Sequence, residues 1–339
     1  MHISSINKPC VFITMGDPSG IGPEIIIRSM ASSQVRGLAI FVVIGDEGIF
    51  RQAASYVGEN IDIRKIDIYS GKIGENTGAN VIDLLDPTPP LLETSPGVPT
   101  REGAQKALDC LKFAADIMTD PCNNYPKTLV TAPLSKERIA DIEKGFIGHT
   151  EYLQRAYSSD FVTMVMKGKN LCVVPVTRHI PISEVALSLT QEKIEKTLKQ
   201  VIEKRALLSE KEHPRIAVTA LNPHCGEGGK IGTEEKLVIE PAIKNSKKIY
   251  PHIEGPISAD VVFNRALKGE TEIIICMYHD QGLGPFKTID FDSGVNITLG
   301  LDHIRTSPDH GTAFDIAGKG IASPESMKEA IKLAVRSWI

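Results

Sequence analysis

The sequence predicts an α/β protein built as two α/β/α domains with a cleft between them, and three observations predict it. Apolar runs at 39–44, 171–176 and 273–277 lack the polar alternation of half-solvated strands, so both faces must be covered, as in a parallel sheet flanked by helices. Stretches of helical spacing lie between such runs, for example Ala104, Ala107, Leu108, Leu111, Ala114, Ala115 and Met118. At 339 residues and 42% hydrophobic, the chain is too long for one ordinary core and long enough for two.

Each element follows in chain order. Val11-Phe12-Ile13-Thr14-Met15 reads as a strand. Gly16-Asp17-Pro18-Ser19-Gly20-Ile21-Gly22-Pro23-Glu24 turns it into a helix, with Pro23 in the first turn where a missing N–H is tolerated. Residues 39–44 form the next strand and end at Gly45-Asp46. The prolines between Asp86 and Pro99 mark an extended connection and a candidate domain crossing, after which 101–118 is helical. Residues 127–132 make a strand, and Pro133-Leu134-Ser135-Lys136 leads from it into a further helix-like stretch. Gly148-His149-Thr150-Glu151 opens a helix whose first turn offers an imidazole, a hydroxyl and backbone N–H groups, a natural anion site. Two strands, 161–166 and 171–176, flank Lys167-Gly168-Lys169-Asn170 as a hairpin. Helices fill 183–207, and 216–221 is a strand. The glycine-rich stretch 225–235 is expected to be a flexible loop, with Thr233 capping a helix. Ser258-Ala259-Asp260 precede a short helix. The strand at 273–277 stops at His279-Asp280 and a glycine-rich turn, and 324–339 is an amphipathic terminal helix.

Composition excludes several function classes. A formal charge of −4, from 42 acids against 38 Lys plus Arg, gives no global field for nucleic acid or an anionic membrane, so any anion must meet a local cluster. Six cysteines form no CxxC pair, and four of them lie in or at the end of strand-like runs, which fits a reducing cytoplasm. Residues 1–8 lack a basic region followed by an apolar segment, and no run reaches bilayer-spanning length, so neither secretion nor membrane insertion is expected.

His179, His224 and His279 each follow an apolar strand-like run within three residues. Strand ends of an α/β sheet deliver side chains to a cleft, and three neutral imidazoles with an open fourth position are the pattern of a catalytic metal site. Taken singly, each histidine is more often packed or solvated. The spacings of 45 and 55 residues match no short metal motif. His2, His213, His252, His303 and His310 follow no strand so directly and stay outside the expected metal shell. Lys287, Asn296 and Arg305 recur at intervals of nine residues and suit a phosphate or carboxylate. The loop from Pro308 to Gly318 holds His310, Gly311, Thr312, Ala313 and Asp315, small or polar residues that let backbone approach a nucleotide. A GxGxxG fingerprint is absent, because Gly16, Gly20 and Gly22 have the wrong spacing.

These motifs resemble the 4-hydroxythreonine-4-phosphate dehydrogenases of vitamin B6 biosynthesis. The likeness runs through Met15 to Glu24, Gly148 to Glu151, Asn222-Pro223-His224-Cys225-Gly226-Glu227, Tyr278-His279-Asp280-Gln281-Gly282 and His310 to Gly318, nearly the whole chain. The resemblance implies an isocitrate/isopropylmalate dehydrogenase-like fold and a homodimer with the active site at the subunit interface. It implies that His149, Thr150, Lys287, Asn296 and Arg305 hold the substrate, that His179, His224 and His279 hold a divalent metal, and that the His310 loop binds nucleotide. It also implies a discontinuous first domain of 1–125 plus 293–339 and a second of 126–292 that carries the dimer interface.

The expected reaction is NAD or NADP oxidation of 4-phosphohydroxy-L-threonine to a 3-keto acid that decarboxylates to 3-amino-2-oxopropyl phosphate. Three imidazoles favour zinc, with cobalt or magnesium as alternatives. Asp260 and Asp280 are candidates for ordering the metal shell or moving protons. A paralogous group acting on threonate or erythronate 4-phosphate shares the same motifs. A metal-dependent phosphoester hydrolase explains the histidines but leaves the His310 loop without a task. A binding protein with a structural metal requires a closed fourth coordination position.

Overall fold

The computed structural model describes residues 9–67, 81–91, 94–120 and 127–338; His2, Cys122 and the N-terminal stretch 1–8, expected to carry no secretion signal, lie outside the described residues. The chain gathers into two compact units, Met1–Ser159 with Leu301–Ile339, and Asp160–Gly300.

The first unit contains β1 (Cys10–Thr14), α1 (Gly22–Ala31), β2 (Ile40–Ile44), α2 (Glu47–Val57), β3 (Asp62–Lys65), β4 (Val81–Leu85), α3 (Arg101–Thr119), β5 (Lys127–Thr131), α4 (Lys136–Ala140), α5 (His149–Ala156), β12 (Arg305–Pro308) and α12 (Glu325–Arg336). Its strands run in the order β3-β4-β2-β1-β5-β12, and every pairing is parallel. β1 and β5 are buried along their whole length, as strands at the centre of a covered parallel sheet must be; β5 buries Lys127, whose ammonium donates to the Ile117 carbonyl at 2.7 Å. α3 packs on β1 and β5, α12 on β5 and β12, and α1 lies against α2 and α12. The expected helix start at Pro23 is found, and α2, α3 and α4 take side-chain caps from Asp46, Thr100 and Ser135. Behind α2 the buried Lys106 ammonium lies 2.9 Å from Asp86 and 3.1 Å from Asp46, and it donates to the carbonyls of Thr88 and Pro89. That pairing anchors the start of the proline-dense connection.

The second unit contains β6 (Thr163–Lys167), β7 (Cys172–Pro175), α6 (Val185–Ser188), α7 (Gln191–Glu203), α8 (Arg205–Leu208), β8 (Ile216–Thr219), α9 (Glu240–Ser246), β9 (Ile253–Ile257), α10 (Ala259–Leu267), β10 (Ile273–Cys276), α11 (His279–Ile289) and β11 (Val295–Leu299). Its order is β11-β6-β7-β10-β8-β9, with β11, β6 and β7 antiparallel in turn and β7, β10, β8 and β9 parallel. Val262 and Ala266 of α10 and Phe286 of α11 pack into a core with Met164, Met166, Val173, Ala217 and Ile274. Phe286 is fully buried, a contribution of about 1.5–3 kcal/mol.

Several local expectations change. The glycine-rich turn expected after His279 is the helix α11, and Gly282 is what allows it: a Cβ there would stand 3.0 Å from Cys276 Sγ. The helical stretch after the loop begins as a π-helix, Glu235–Ile239, with Glu234 and not Thr233 in the cap position, and Thr233 contributes its carbonyl, which accepts from Leu237 N–H at 3.0 Å. The stretch expected to be flexible is a compact turn in which His224, Cys225, Gly226, Glu227 and Gly228 are all left-handed, with φ between 43° and 72°. The units divide at 159/160 and 300/301, where the resemblance placed 125/126 and 292/293. β5 pairs with β1 and β12, which keeps 127–131 in the first unit, and β11 pairs with β6, which keeps 295–299 in the second.

Candidate active site

In the second unit β7, β10 and β8 lie side by side and parallel, with Ile274 in register with both Val173 and Ala217. Their C-terminal ends therefore open at one edge of the sheet, and the chain beyond each end carries His179, His279 and His224. The rings of His179 and His279 face each other with centroids 5.6 Å apart at 47°. They line a cavity of about 190 Å³ with Arg178, Ile180, Tyr278 and Asp280. His279 Nδ1 lies 2.6 Å from Asp280 Oδ1, which leaves Nε2 for a ligand. His224 sits on the left-handed turn with its side chain 68% exposed and Nδ1 3.2 Å from Glu227 Oε1.

Among the described residues no group of three or more His, Cys, Asp or Glu side chains is gathered closely enough to hold an ion. One chain therefore brings His179 and His279 together and does not bring His224 to them. The donor chemistry nonetheless fits a transition metal. At His279 and His224 a carboxylate meets one ring nitrogen and leaves the other outward, the usual setting of a metal-bound histidine. Asp280 thus orients a candidate ligand through its ring nitrogen, while its own side chain is 88% exposed. Asp260 is exposed in the first turn of α10, and its charge is felt by Cys225 beside His224.

The first unit gathers a second set of candidate groups. Arg305 opens β12 only 3% exposed, and its Nε and Nη2 donate to the Thr131 hydroxyl at 3.0 and 2.6 Å. Burial pulls the guanidinium down to about 10, which still leaves it charged at neutral pH. His149 begins α5 with an edge in solvent, but enclosure of its ring, and then the charges of Arg305 and Lys136, push its pKa well below 6.5. Thr150 is buried beside it. Lys136 Cε would lie 3.3 Å from a Cβ at Gly148, so the ammonium arm runs along the start of α5. A buried guanidinium, a lysine, a neutral imidazole and a helix start are chemistry suited to an anion.

Lys287 and Asn296 belong to the second unit. Lys287, in the last turn of α11, sits 5.5 Å over the Phe291 ring. Asn296 lies on β11 opposite Met166, and its buried Oδ1 has no hydrogen-bond partner among the described residues, an acceptor available to a donor group on a ligand.

The Gly16–Glu24 turn and the His310 loop, two separate motifs in the sequence, are stitched together in the first unit. Ile21 N–H donates to the Thr312 carbonyl at 3.0 Å. The Glu24 carboxylate accepts from the N–H groups of Gly318 and, at 3.2 Å, Gly320. Gly20 is needed because a Cβ would lie 2.9 Å from the Thr312 carbonyl oxygen. Ala313 is held at φ +43°, and the space around Gly311 is open, so a nucleotide could approach backbone there. His310 and Asp315 stand on the same loop, half-buried and exposed respectively. Asp17 is fully buried, accepts from Ser19 N–H at 3.0 Å, and has its pKa raised by burial.

Thr131, Lys136 and Glu24 were not marked by the sequence as site residues. Their only signals were a strand-end threonine, a lysine after a Ser cap, and an acid after Gly-Ile-Gly-Pro. A family model described as pyridoxal phosphate biosynthetic protein PdxA matches residues 38–334. The chain belongs to the PdxA family. A curated PdxA-family relative from Geobacter metallireducens, named 4-hydroxythreonine-4-phosphate dehydrogenase, is 38% identical over 96% of this chain and 95% of its own length. A relative from Oceanobacillus iheyensis, 37% identical over 97% of each chain, is named for D-threonate 4-phosphate. The Klebsiella pneumoniae crystal structure titled 4-hydroxythreonine-4-phosphate dehydrogenase superposes with a TM-score of 0.83, at 34% identity, over 98% of this chain and 99% of that one. A terephthalate 1,2-cis-dihydrodiol dehydrogenase from Burkholderia xenovorans, 24% identical over 97% of this chain and 98% of its own, shares the fold with a TM-score of 0.67.

Proposed function

We propose that this chain is the NAD(P)-dependent dehydrogenase of 4-phosphohydroxy-L-threonine in pyridoxal 5'-phosphate biosynthesis. It oxidises the C3 hydroxyl to a 3-keto acid, which loses carbon dioxide to give 3-amino-2-oxopropyl phosphate. Membership of the PdxA family over nearly the whole length carries the reading. The anion-binding groups and the paired imidazoles support it.

Arg305, Lys136, Thr150 and the start of α5 hold the phosphate, with His149 as a neutral donor; Lys287 and Asn296 are further substrate-binding candidates, supported by the family resemblance and not by a shared pocket. Anchoring the phosphate several bonds from C3 converts binding energy into orientation of the reacting carbon. His179, His279 and His224 hold the divalent metal, zinc before cobalt or magnesium. A homodimer completes the set, since His179 and His279 pair within one chain and His224 does not join them. When bound, the metal supplies a Lewis acid for the hydroxyl oxygen and NAD(P) supplies the hydride acceptor. Asp280 fixes the tautomer of His279, and Asp260 is the candidate for proton movement. The loop of His310, Gly311, Thr312, Ala313 and Asp315 receives the nucleotide on the platform tied by Glu24. The five described cysteines are free thiols, and among the described residues no helix is long and apolar enough to cross a membrane, which supports a place in the cytoplasm.

A purified sample assayed with NAD and phosphohydroxythreonine, before and after chelation, tests the reading. Reduced nicotinamide is expected only with metal present; phosphate release without it would move the assignment to a hydrolase. D-threonate 4-phosphate is the second reading, favoured by the Oceanobacillus relative. A higher kcat/KM for that compound would make it the substrate.

A further inference from the structure

Beneath the candidate metal-binding edge, one set of buried hydrogen bonds ties three strand ends together. The Gln281 side chain, 8% exposed, is at its centre. Its Oε1 accepts from the Thr219 hydroxyl and the Met277 N–H, each at 2.7 Å, and its Nε2 donates to the Ala220 carbonyl at 2.7 Å. The Met277 carbonyl accepts in turn from the Thr177 hydroxyl at 2.8 Å and the Thr177 N–H at 3.2 Å. Thr177, Met277 and Ala220 are where β7, β10 and β8 run out, and they precede His179, His279 and His224 by two, two and four residues. The network therefore joins all three segments that carry the imidazoles.

Neighbouring groups extend it. Glu235, 2% exposed, accepts from the N–H groups of Leu221 at 3.0 Å and Asn222 at 2.8 Å, and from Asn222 Nδ2 at 3.0 Å. The run from Thr219 to Asn222, which leads into the left-handed turn of His224, is thus gripped by two buried side chains on different elements. Removing the Gln281 amide leaves the Met277 N–H, the Ala220 carbonyl and the Thr219 hydroxyl without these partners in an apolar setting, which forces the strand ends to shift.

We propose that Gln281 is a positioning residue: it fixes the His179 and His279 segments against each other and anchors the stem of the His224 turn. Each imidazole is thereby held in its direction whether its metal partner lies in the same chain or across a dimer, and through that Gln281 sets the affinity and geometry of the metal site. The inference rests on the assignment of those histidines to a metal. The test uses the full-length protein stripped by chelator, with Co²⁺ binding followed by calorimetry and by d–d absorption, and thermal unfolding recorded alongside. His279→Ala should abolish the wild-type signal. Gln281→Met, close in volume, should weaken binding about 10–100-fold and change the spectrum, as loss of an outer support does. Gln281→Glu should fall between, because a carboxylate still accepts from Thr219 and Met277 but cannot donate to Ala220. Tyr250→Phe is the matched control: it loses one buried bond, to the Pro214 carbonyl at 2.7 Å, near the opposite end of β8, and should bind Co²⁺ as wild type does. Should Gln281→Met fail to fold, Thr177→Val removes a single hydroxyl and should weaken binding severalfold. Wild-type Co²⁺ affinity and spectrum in Gln281→Met or, failing that, in Thr177→Val overturn the inference alone, as does equal weakening in Tyr250→Phe. Wild-type binding that survives His279→Ala overturns the metal assignment itself, and the inference with it.

Discussion

The two units present their polar groups in opposite ways. In the first, the functional groups are enclosed: Arg305 is 3% exposed and held by Thr131, and His149 is kept neutral by its surroundings. In the second, the candidate ligands stand in the open, with the His224 side chain 68% exposed, and it is the bonds beneath them that are buried. An anion pocket gains strength from enclosure, because low dielectric sharpens every charge-assisted bond. A metal ligand needs an open nitrogen and a fixed direction, and the fixing is done from behind.

Substitutions ordered by size can break or sharpen that contrast. Arg305→Ala should reduce kcat/KM about 100–1,000-fold, mostly through KM, as loss of a buried charge-assisted contact does. Steady-state kinetics with unchanged KM would remove Arg305 from the pocket. Asp280→Asn should weaken metal binding about 10–100-fold, read by competition with a chelator, while leaving binding of inorganic phosphate unchanged; a loss of both would mean that the two regions are not independent. His149 gives a pH effect of definite sign. Above its ordinary value of 6.5 the imidazole is neutral folded and unfolded; below it the unfolded chain takes up a proton that the folded pocket refuses, so stability falls as pH drops from 6.5 toward the depressed folded pKa. Between pH 7.5 and 5.5, urea titrations of the wild type should lose about 1 kcal/mol more than those of His149→Asn. Equal losses would show that His149 titrates normally. Lys287→Met should have the smallest effect, a severalfold rise in KM that shrinks in high salt, because the lysine is only half-buried.

The apolar runs at 39–44 and 273–277, and the largely apolar 11–15, were legible as covered strands because burial on both faces demands an almost unbroken apolar pattern. β3 was not: Asp62-Ile63-Arg64-Lys65 has no apolar run, and its strand conformation comes from pairing with β4 and from the Arg64 to Asp83 bond at 2.6 Å. The helix at His279 was hidden by Gly282, Gly284 and Pro285, residues that argue locally for a turn, although Gly282 here permits close packing on Cys276 and Gly284 faces open space. The histidines could be found because each follows a strand. The supports could not, because Gln281, Glu235 and Thr131 acquire meaning only from partners distant in sequence, such as Thr219, Leu221 and Arg305.

The chain's pattern of apolar runs and its long motifs determined the α/β class, the family and the set of candidate site residues, since these depend on local chemistry that each segment carries with it. Only the tertiary structure decided that β7, β10 and β8 are neighbours, that the Glu24 turn and the His310 loop are one platform, and that two of the three imidazoles meet within a chain. Strand order and hydrogen bonds between distant segments are set by the packing of the whole core, which no single stretch of sequence contains.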